Sequence, residues 1–297
     1  MNISLLKNDQ YQKVLKFFPA DFPDVVVVYA ILEKRMPGEI WVDNSDNPTA
    51  VLIKSNANIC YIKGDITQSL FKKFLQKLKY NLRMHLVFEP SPASKHFNLL
   101  LCGLTKIDRL SFKLKDKTKN YLLLPSSSVF ELTPLNKKNE AIFRMSSGFN
   151  MEKKLYGSEE KCIDEAYGFA IWDKQKNRIA SETLGVSSKK YVELGIMTHL
   201  EYRKQNLAKI VCGKFITDIL ASGKEPVWAC NKSNLASINL ANSLGFELER
   251  EYQFTIFLKY KFYLFAMRVS GFLKRNITRL MGFIYARIGK DPKELKS

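Results

Sequence analysis

The spacing of apolar residues in the first third of the chain predicts a mixture of helices and strands. Three short runs have the alternation of β-strands and are separated by turn residues: GEIWVD, TAVLIKS and NICYIKG. TQSLFKKFLQKLKY follows with helical spacing and Thr67 at the N-cap position, and MHLVFEP predicts another strand. The opening run ISLLKNDQYQKVLKFF predicts an amphipathic helix ended by Pro19 and Pro23, and VVVVYAIL predicts a buried helix or strand.

A similar order of elements restarts in the second half of the chain. YGFAIWD, RIASETLGV and YVELGIMT predict three strands, a helix follows from about Gln205 to Ala221, and PVWAC predicts the next strand. NLASINLANSL then has helical spacing, and FELEREYQFTIFL predicts a last extended run. Short connectors favour antiparallel pairing of the first three strands, whereas the strand–helix–strand segment at 191–230 favours a parallel pair.

A break in the pattern divides the chain into segments. The charged stretch before Pro125, followed by three serines, predicts a boundary, which gives segments 1–125, 126–257 and 258–297. The fold class is therefore α+β: two similar halves with mixed, mostly antiparallel sheets flanked by helices, plus a C-terminal tail.

Composition and charge narrow the class of partner. The chain has 297 residues, 46% of them apolar, and a net charge of +18, which favours an anionic partner such as nucleic acid, an acidic lipid surface or a phosphorylated small molecule. Five scattered cysteines without a CxxC indicate reduced thiols in a cytoplasmic protein and no metal site. The longest apolar run has eight residues, short of the ~20 that a membrane-spanning helix needs.

The basic segment HLEYRKQNLA stands between a predicted strand and a predicted helix. The N-terminus of a helix has unpaired N–H donors and the positive end of the dipole, which together suit phosphate oxygens. Arg203, Lys204 and Lys209 add positive charge. From these residues alone, a solvated basic helix start is an equally good interpretation.

Two motifs in this half resemble those of the GNAT N-acetyltransferase superfamily. The family's loop, Arg/Gln-x-x-Gly-x-Gly/Ala, is matched by residues 203–208 except that Asn206 replaces the first glycine. Asparagine tolerates left-handed backbone angles, so the turn can be kept. The second motif, Asn-x-x-Ala/Ser-x-x-Leu…Gly-Phe, is matched at five positions: Asn234, Ser237, Leu240, Gly245 and Phe246.

Further residues resemble one branch of that superfamily, the zwittermicin A resistance acetyltransferases. Glu193 and Thr198 match its Glu-x-x-x-x-Thr pattern, Trp228 precedes the second motif, and LANSLGF matches its end. GEIWVDNSDNPTA matches a pattern in the branch's N-terminal half, so the resemblance covers roughly residues 20–255. Glycine N-acyltransferase-like proteins are neighbouring relatives with the same two-half layout, which implies tandem GNAT-like halves with a degenerate first half.

The resemblance implies transfer of an acetyl group from acetyl-CoA to an amine of a small molecule, by direct attack in a ternary complex. Backbone groups of the strand before the loop would align the thioester, the loop would hold the diphosphate, and Asn234 would bond the pantetheine arm. The cofactor-binding assignment comprises Ile196, Met197, Thr198, Arg203, Lys204, Gln205, Asn206, Leu207, Ala208, Asn234 and Ser237.

Glu193 is the candidate general base. It precedes Thr198 by five residues and shares one face of the strand with Gly195 and Met197. A salt bridge at the strand end is the alternative role. Ala241 stands where the family usually has a tyrosine that acts as the general acid, so the leaving thiolate is protonated by another group or by water.

Two other groups near the motifs could carry chemistry. His199 has a side chain suited to proton transfer near neutral pH, although loop histidines are mostly solvated. Cys230 could act as an acyl-carrying nucleophile, but no matching histidine accompanies it and buried cysteines are common.

The last forty residues predict a basic amphipathic helix. They contain ten Lys or Arg and two acidic residues, with Arg268, Lys274, Arg275 and Arg279 on one side and apolar residues on the other. Such a helix suits an anionic membrane surface or the protein's own core.

A non-catalytic GNAT-fold binding or membrane-associated module is therefore the alternative function, which Asn206 and Ala241 favour. No RNA-binding motif accompanies the charge, so nucleic acid is not expected as a partner, and the sequence gives no indication of the oligomeric state.

Overall fold

The computed structural model describes residues 3–20, 25–78, 83–88, 105–124 and 129–258. Its first half contains six strands within these ranges: β1 Ser4–Leu5, β2 Gly38–Val42, β3 Ala50–Ser55, β4 Ile59–Gly64, β5 Arg83–Phe88 and β6 Thr105–Leu114. The helical elements there are a 3-10 helix at Asn8–Phe17, α1 at Val25–Leu32 and α2 at Gln68–Lys77. Thr67 caps α2 as predicted, since its hydroxyl oxygen accepts from the Leu70 amide at 3.2 Å.

The second half contains six further strands within the described ranges: β7 Phe130–Leu135, β8 Tyr167–Asp173, β9 Arg178–Ser187, β10 Tyr191–Thr198, β11 Glu225–Asn231 and β12 Phe246–Leu258. The α-helices there are α3 Glu140–Arg144, α4 Phe149–Tyr156, α5 Glu159–Glu165, α6 Leu207–Ala221 and α7 Leu235–Ser243. Short 3-10 helices occupy Lys137–Asn139 and Leu200–Tyr202. These elements confirm the predicted α+β class.

All of these strands lie in one sheet. Their order is β1-β2-β3-β4-β5-β12-β6-β11-β10-β9-β8-β7. The pairs are antiparallel except for two, β4 with β5 and β10 with β11, which are parallel. The parallel pairing predicted for the segment 191–230 is therefore confirmed.

The two halves repeat one pattern with a different loop. In each half two antiparallel pairs are followed by a helix that crosses over to a parallel strand, through α2 in the first half and α6 in the second. Three residues, 65–67, connect β4 to α2, whereas eight residues, 199–206, connect β10 to α6. Only the longer connection leaves room for a loop at the helix start.

Strand β6 joins the halves within the sheet. It comes before the predicted boundary at residue 125, yet it pairs with both β11 and β12 of the second half. Strand β12 in turn pairs with β5 of the first half. The boundary itself falls at residues outside the described ranges, as does the predicted tail helix, and the segment limits stay predictions.

The predicted helix at the start of the chain is wrong in part. Ser4 and Leu5 pair with Val42 and Trp41 as strand β1, and only the residues after them form a helix, which is of the 3-10 type. The edge of the sheet supplies backbone partners that a sequence pattern does not reveal. The run predicted as a buried helix or strand forms helix α1. Its four consecutive valines favour a strand, but they are helical and buried here, because tertiary burial outweighs that preference.

Helix α6 packs on the sheet through the predicted face. Its inward residues are all buried: Leu207, Val211, Cys212, Phe215 and Ile219. Gly185 of β9 permits this approach, because a Cβ at that position would come within 2.7 Å of the Phe215 ring. The contact fixes the N-terminus of α6 beside the end of β10. In the ranges that the structure covers, no helix is long and apolar enough to span a membrane.

Candidate functional site

Strands β10 and β11 separate after three residue pairs. Tyr191, Val192 and Glu193 pair with β11, with Glu193 opposite Val227. Beyond this point residues 194–198 pair only with β9, and residues 228–231 pair only with β6. Neighbouring strands normally stay about 4.8 Å apart. The separation therefore opens a V-shaped gap into which one edge of β10 directs backbone groups.

The loop after β10 presents a run of backbone amides. Lys204 and Asn206 have left-handed φ angles of 63° and 60°. The amide of Arg203 is bonded to the Leu200 carbonyl at 3.3 Å, and the Ile210 amide is the first to bond back to Asn206. Within the described chain, no protein acceptor takes the amides of residues 204–209. Asn206 thus keeps the turn that a glycine usually makes, and the helix start has donors available.

The loop carries positive charge around these amides. Arg203, Lys204 and Lys209 have no carboxylate partner in the described part of the chain. The one acidic residue of the loop, Glu201, is paired with Lys176 at 2.5 Å and Arg178 at 2.7 Å. Its hydrogen bond with Lys176 lowers the pKa of this carboxyl. Local charge and helix dipole therefore favour an anion here.

The second motif is tied to β11 through a tryptophan. The Oδ1 of Asn234 accepts from the Ser237 amide at 3.2 Å and so caps α7. The Ser237 hydroxyl accepts from the indole Nε1 of Trp228 at 3.1 Å. Asn234 itself is exposed. Its Nδ2 is the atom of this pair best placed to serve a ligand, because the cap and the Trp228 bond occupy the two oxygens.

The predicted alternation along β10 is observed. Glu193 is half-buried and Gly195 and Met197 are exposed on one face, while Ile196 packs toward α6 on the other. Thr198 lies on that second face, with its hydroxyl 2.8 Å from the Ser181 hydroxyl. The strand therefore offers one carboxylate, Glu193, beside the vertex of the gap.

The remaining candidates differ in their surroundings. The His199 amide donates to the Ala180 carbonyl at 3.1 Å, which fixes the start of the loop. Cys230 is buried, and desolvation raises the pKa of its thiol, which disfavours a thiolate nucleophile. Ala241 is fully buried and has no proton to give. Tyr202 donates to Asp173 at 2.8 Å, and burial raises the pKa of its phenol to about 12.

A carboxylate that the sequence analysis does not predict lies on the same face of the sheet as Glu193 and Met197. Glu182 of β9 lies opposite Met197, and only 2% of it is exposed. The signal was the SET triplet in the middle of a strand whose neighbours are buried on both faces. A carboxylate buried in such a strand is energetically costly unless it has hydrogen-bond donors or a positive charge beside it.

Comparison with known proteins identifies the family of this chain. The sequence profile described as GNAT acetyltransferase matches residues 19–255. The chain belongs to the GNAT acetyltransferase family. It is a transferase, and the family acts on an amine acceptor with acyl-CoA as the donor.

Relatives support this assignment in sequence and in fold. The uncharacterised N-acetyltransferase YdfB of Bacillus subtilis (strain 168) is 28% identical over 235 residues, which cover 76% of this chain and 87% of the relative. A GCN5-related N-acetyltransferase-like protein from Streptococcus suis 89/1591 has 23% identity and a TM-score of 0.64, over 84% of this chain and 99% of that one. A tandem GNAT protein from the clavulanic acid biosynthesis pathway has 12% identity and a TM-score of 0.61, over 86% and 98%. The fold neighbours agree with the predicted tandem halves.

The residues present fit an acyl-CoA molecule. The available amides at 204–209 and the three basic side chains suit a diphosphate, and the V-shaped gap suits an extended arm beside β10. No cluster of three or more His, Cys, Asp or Glu residues suited to a metal ion occurs in the described part of the chain. The zwittermicin branch stays a prediction.

Proposed function

We propose that the protein transfers an acetyl group from acetyl-CoA to an amine of a small molecule, by direct attack in a ternary complex. The observation that carries this proposal is that the gap and the amide-bearing loop lie on consecutive segments of the chain. Residues 194–198 of β10 border the gap, and residues 204–209 form the end of the loop and the first turn of α6. A long ligand with a diphosphate at one end matches both.

The chain's own groups have distinct tasks in this proposal. The amides of 204–208 and the Arg203 guanidinium bind the diphosphate, and Leu207 and Ala208 set the start of α6. Backbone groups of Ile196 and Thr198 on the free edge of β10 align the arm, and Met197 lies between them with its carbonyl accepting from the Ser181 hydroxyl of β9 at 3.3 Å. Asn234 donates to the arm through Nδ2, with Ser237 holding the cap. When bound, acetyl-CoA supplies the acetyl group as an activated thioester. The alignment of a substrate in this way lowers the entropic part of the barrier.

Glu193 removes the proton that an ammonium acceptor must lose before it can attack. The nitrogen then forms its bond to the acyl carbon and releases its second proton to water, the carbon–sulfur bond breaks, and the sulfur leaves as a thiolate. Because Ala241 offers no proton, the thiolate takes one from water or from another group. Proton removal by a positioned carboxylate contributes about 10²–10⁴-fold to such rates.

Binding and turnover should be measured separately. Calorimetric titration with acetyl-CoA tests the loop, and a thiol-release assay with a panel of small amines tests the chemistry. Longer acyl-CoA donors, run beside acetyl-CoA, test the acyl group. If acetyl-CoA fails to bind at millimolar concentration, the site assignment is wrong. Binding without release of thiol from any amine would instead favour the non-catalytic alternative.

A further inference from the structure

Glu182 is a buried carboxylate whose bonds leave one oxygen unused. Its Oε1 accepts from the Ser147 amide at 2.7 Å and, in a short bond, from the Ser147 hydroxyl. Its Oε2 is buried and has no hydrogen-bond partner among the described residues. No ion pair to Glu182 occurs there either. A charge buried without a counter-charge is costly, so the free oxygen calls for a donor.

The surroundings of Glu182 add a second unused group. Ser147 belongs to the turn 146–148 that leads into α4, and this turn lies close over β9, because a Cβ at Gly148 would come within 2.7 Å of Leu184. The hydroxyl of Ser146, in the same turn, is also buried and lacks a partner among the described residues. Both unused oxygens can accept from N–H groups, which is the chemistry of an ammonium.

Strand register places Glu182 beside the site. Glu182 is directly opposite Met197, so the two side chains share the face that also carries Gly195 and Glu193. Met197 is 45% exposed and separates Glu182 from the gap. Its unbranched, flexible side chain can move aside for a narrow ligand.

The two carboxylates are set apart along β10. Glu193 and Met197 differ by four positions, so Glu182 lies about 13 Å from Glu193 along the strand direction at ~3.3 Å per residue. The half-buried Glu193 side chain can bend toward Glu182 and shorten this span, whereas the bonds from Ser147 hold Glu182 in place. One ammonium therefore cannot satisfy both groups, whereas a chain with an ammonium at each end can.

We propose that the acceptor is a linear aliphatic diamine or polyamine, with one ammonium bound by Glu182 and Ser146 and the reacting amine beside Glu193. This inference rests on the proposed function for the reacting end only. The cation site at Glu182 stands on its own contacts.

Long-range charge does not help such an acceptor. The chain has a net charge of +18, which repels cations in bulk solution. Selection of a dication must therefore come from the local contacts at Glu182. Because a buried contact is screened little by salt, the preference should persist when ionic strength is raised.

The test compares amines of equal length that differ by one ammonium. Diaminohexane and hexylamine, then diaminobutane and butylamine, serve as acceptors with acetyl-CoA. We expect the wild-type protein to favour the diamine by about tenfold or more in kcat/KM, mostly through KM, since a charged hydrogen bond contributes about 1.5–3 kcal/mol. Glu182→Gln keeps the bond from Ser147 and removes the charge, so the ratio should fall to about one with acetyl-CoA affinity unchanged.

Two further variants keep the test decisive. Glu152→Gln makes the same change at another buried carboxyl with an unpartnered oxygen, and it should leave the preference intact. If Glu182→Gln does not fold, Met197→Lys at the exposed neighbouring position places a protein cation by Glu182 and should abolish the preference. Equal use of both amines by the wild-type protein, or a preference that survives Glu182→Gln and Met197→Lys, overturns the inference.

Calorimetry separates this inference from the proposed function. Diaminohexane should bind the wild-type protein and bind Glu182→Gln about tenfold or more weakly, whether or not turnover occurs. Diamine binding that depends on Glu182 without any thiol release keeps the cation site and removes the proposed function. Thiol release with no Glu182-dependent diamine binding does the opposite. A change in melting temperature alone would reduce Glu182 to a structural role.

Discussion

Glu193 of β10 lies directly opposite Val227 of β11, and the two strands separate immediately after this pair. Glu193 therefore stands at the vertex of the gap between the two strands. No other carboxylate of β10 exists, so the strand offers one proton acceptor at this point.

Replacement of Glu193 by Gln should reduce kcat/KM by about 10² or more, because the amide cannot accept the ammonium proton. The loss should shrink at high pH, where more of the acceptor is already neutral. Acetyl-CoA affinity, measured by calorimetry, should stay unchanged. Glu225→Gln is the matched control, since Glu225 lies two pairs away on the closed side of the same parallel ladder. Equal activity of both variants would exclude Glu193 as the base.

Substitutions at Asn206 test whether the backbone conformation of the loop determines the affinity for acetyl-CoA. Its φ of 60° is left-handed, which costs most side chains roughly 1–2 kcal/mol and glycine nothing. We expect Asn206→Gly to bind acetyl-CoA at least as well as the wild-type protein. Asn206→Ala should bind several-fold more weakly and melt at a lower temperature. If Ala binds as tightly as Gly in calorimetry, the turn at this residue does not determine the affinity.

The second half of the chain was predictable because its signals are local. Alternation gave β8, β9 and β10, helical spacing gave α6, and two motifs marked the loop and the start of α7. Strand β6 was not predicted, because its place depends on partners more than a hundred residues away in β11 and β12. The short strand β1 was missed for the same reason, since an edge partner decided it.

The candidate site could be predicted where it is made of one continuous segment. The loop 203–208 and the face of Glu193 follow from residue order alone. Glu182 is different, because its role depends on a turn at Ser147 that folds over β9 from 35 residues away. Only the register of β9 on β10 brings it level with Met197. A buried acid in a central strand was the one signal in the sequence.

Asn234 has two functions that substitution can separate. Its Oδ1 caps α7, and its Nδ2 is the proposed donor to the pantetheine arm. Asn234→Asp keeps the cap and removes the donor, so it should lose acetyl-CoA affinity with little change in stability. Asn234→Ala removes both and should also cost about 1 kcal/mol of stability. Calorimetry and denaturant unfolding measure the two effects, and unchanged affinity in both variants would exclude Asn234 from binding.

Glu152 of α4 makes stability depend on pH. The side chain is buried with Oε2 unpartnered among the described residues, and desolvation raises the pKa of its carboxyl from 4.5 to about 7. Between these values the folded protein holds a proton that the unfolded chain releases. The free energy of unfolding therefore falls as the pH rises from 4.5 to 7, and it is fully reduced above that range.

Glu152→Gln should remove this dependence, because the amide does not ionise. We expect the variant to gain stability relative to the wild-type protein as the pH rises, by up to about 3 kcal/mol between pH ~4.5 and pH ~8, from the size of the pKa shift. Urea unfolding at a series of pH values measures the difference. Glu160→Gln, at an exposed position in the adjacent α5, is the matched control for the removal of one carboxylate. A flat difference for Glu152→Gln would mean that water or a ligand reaches the carboxyl in the folded protein and keeps it ionised.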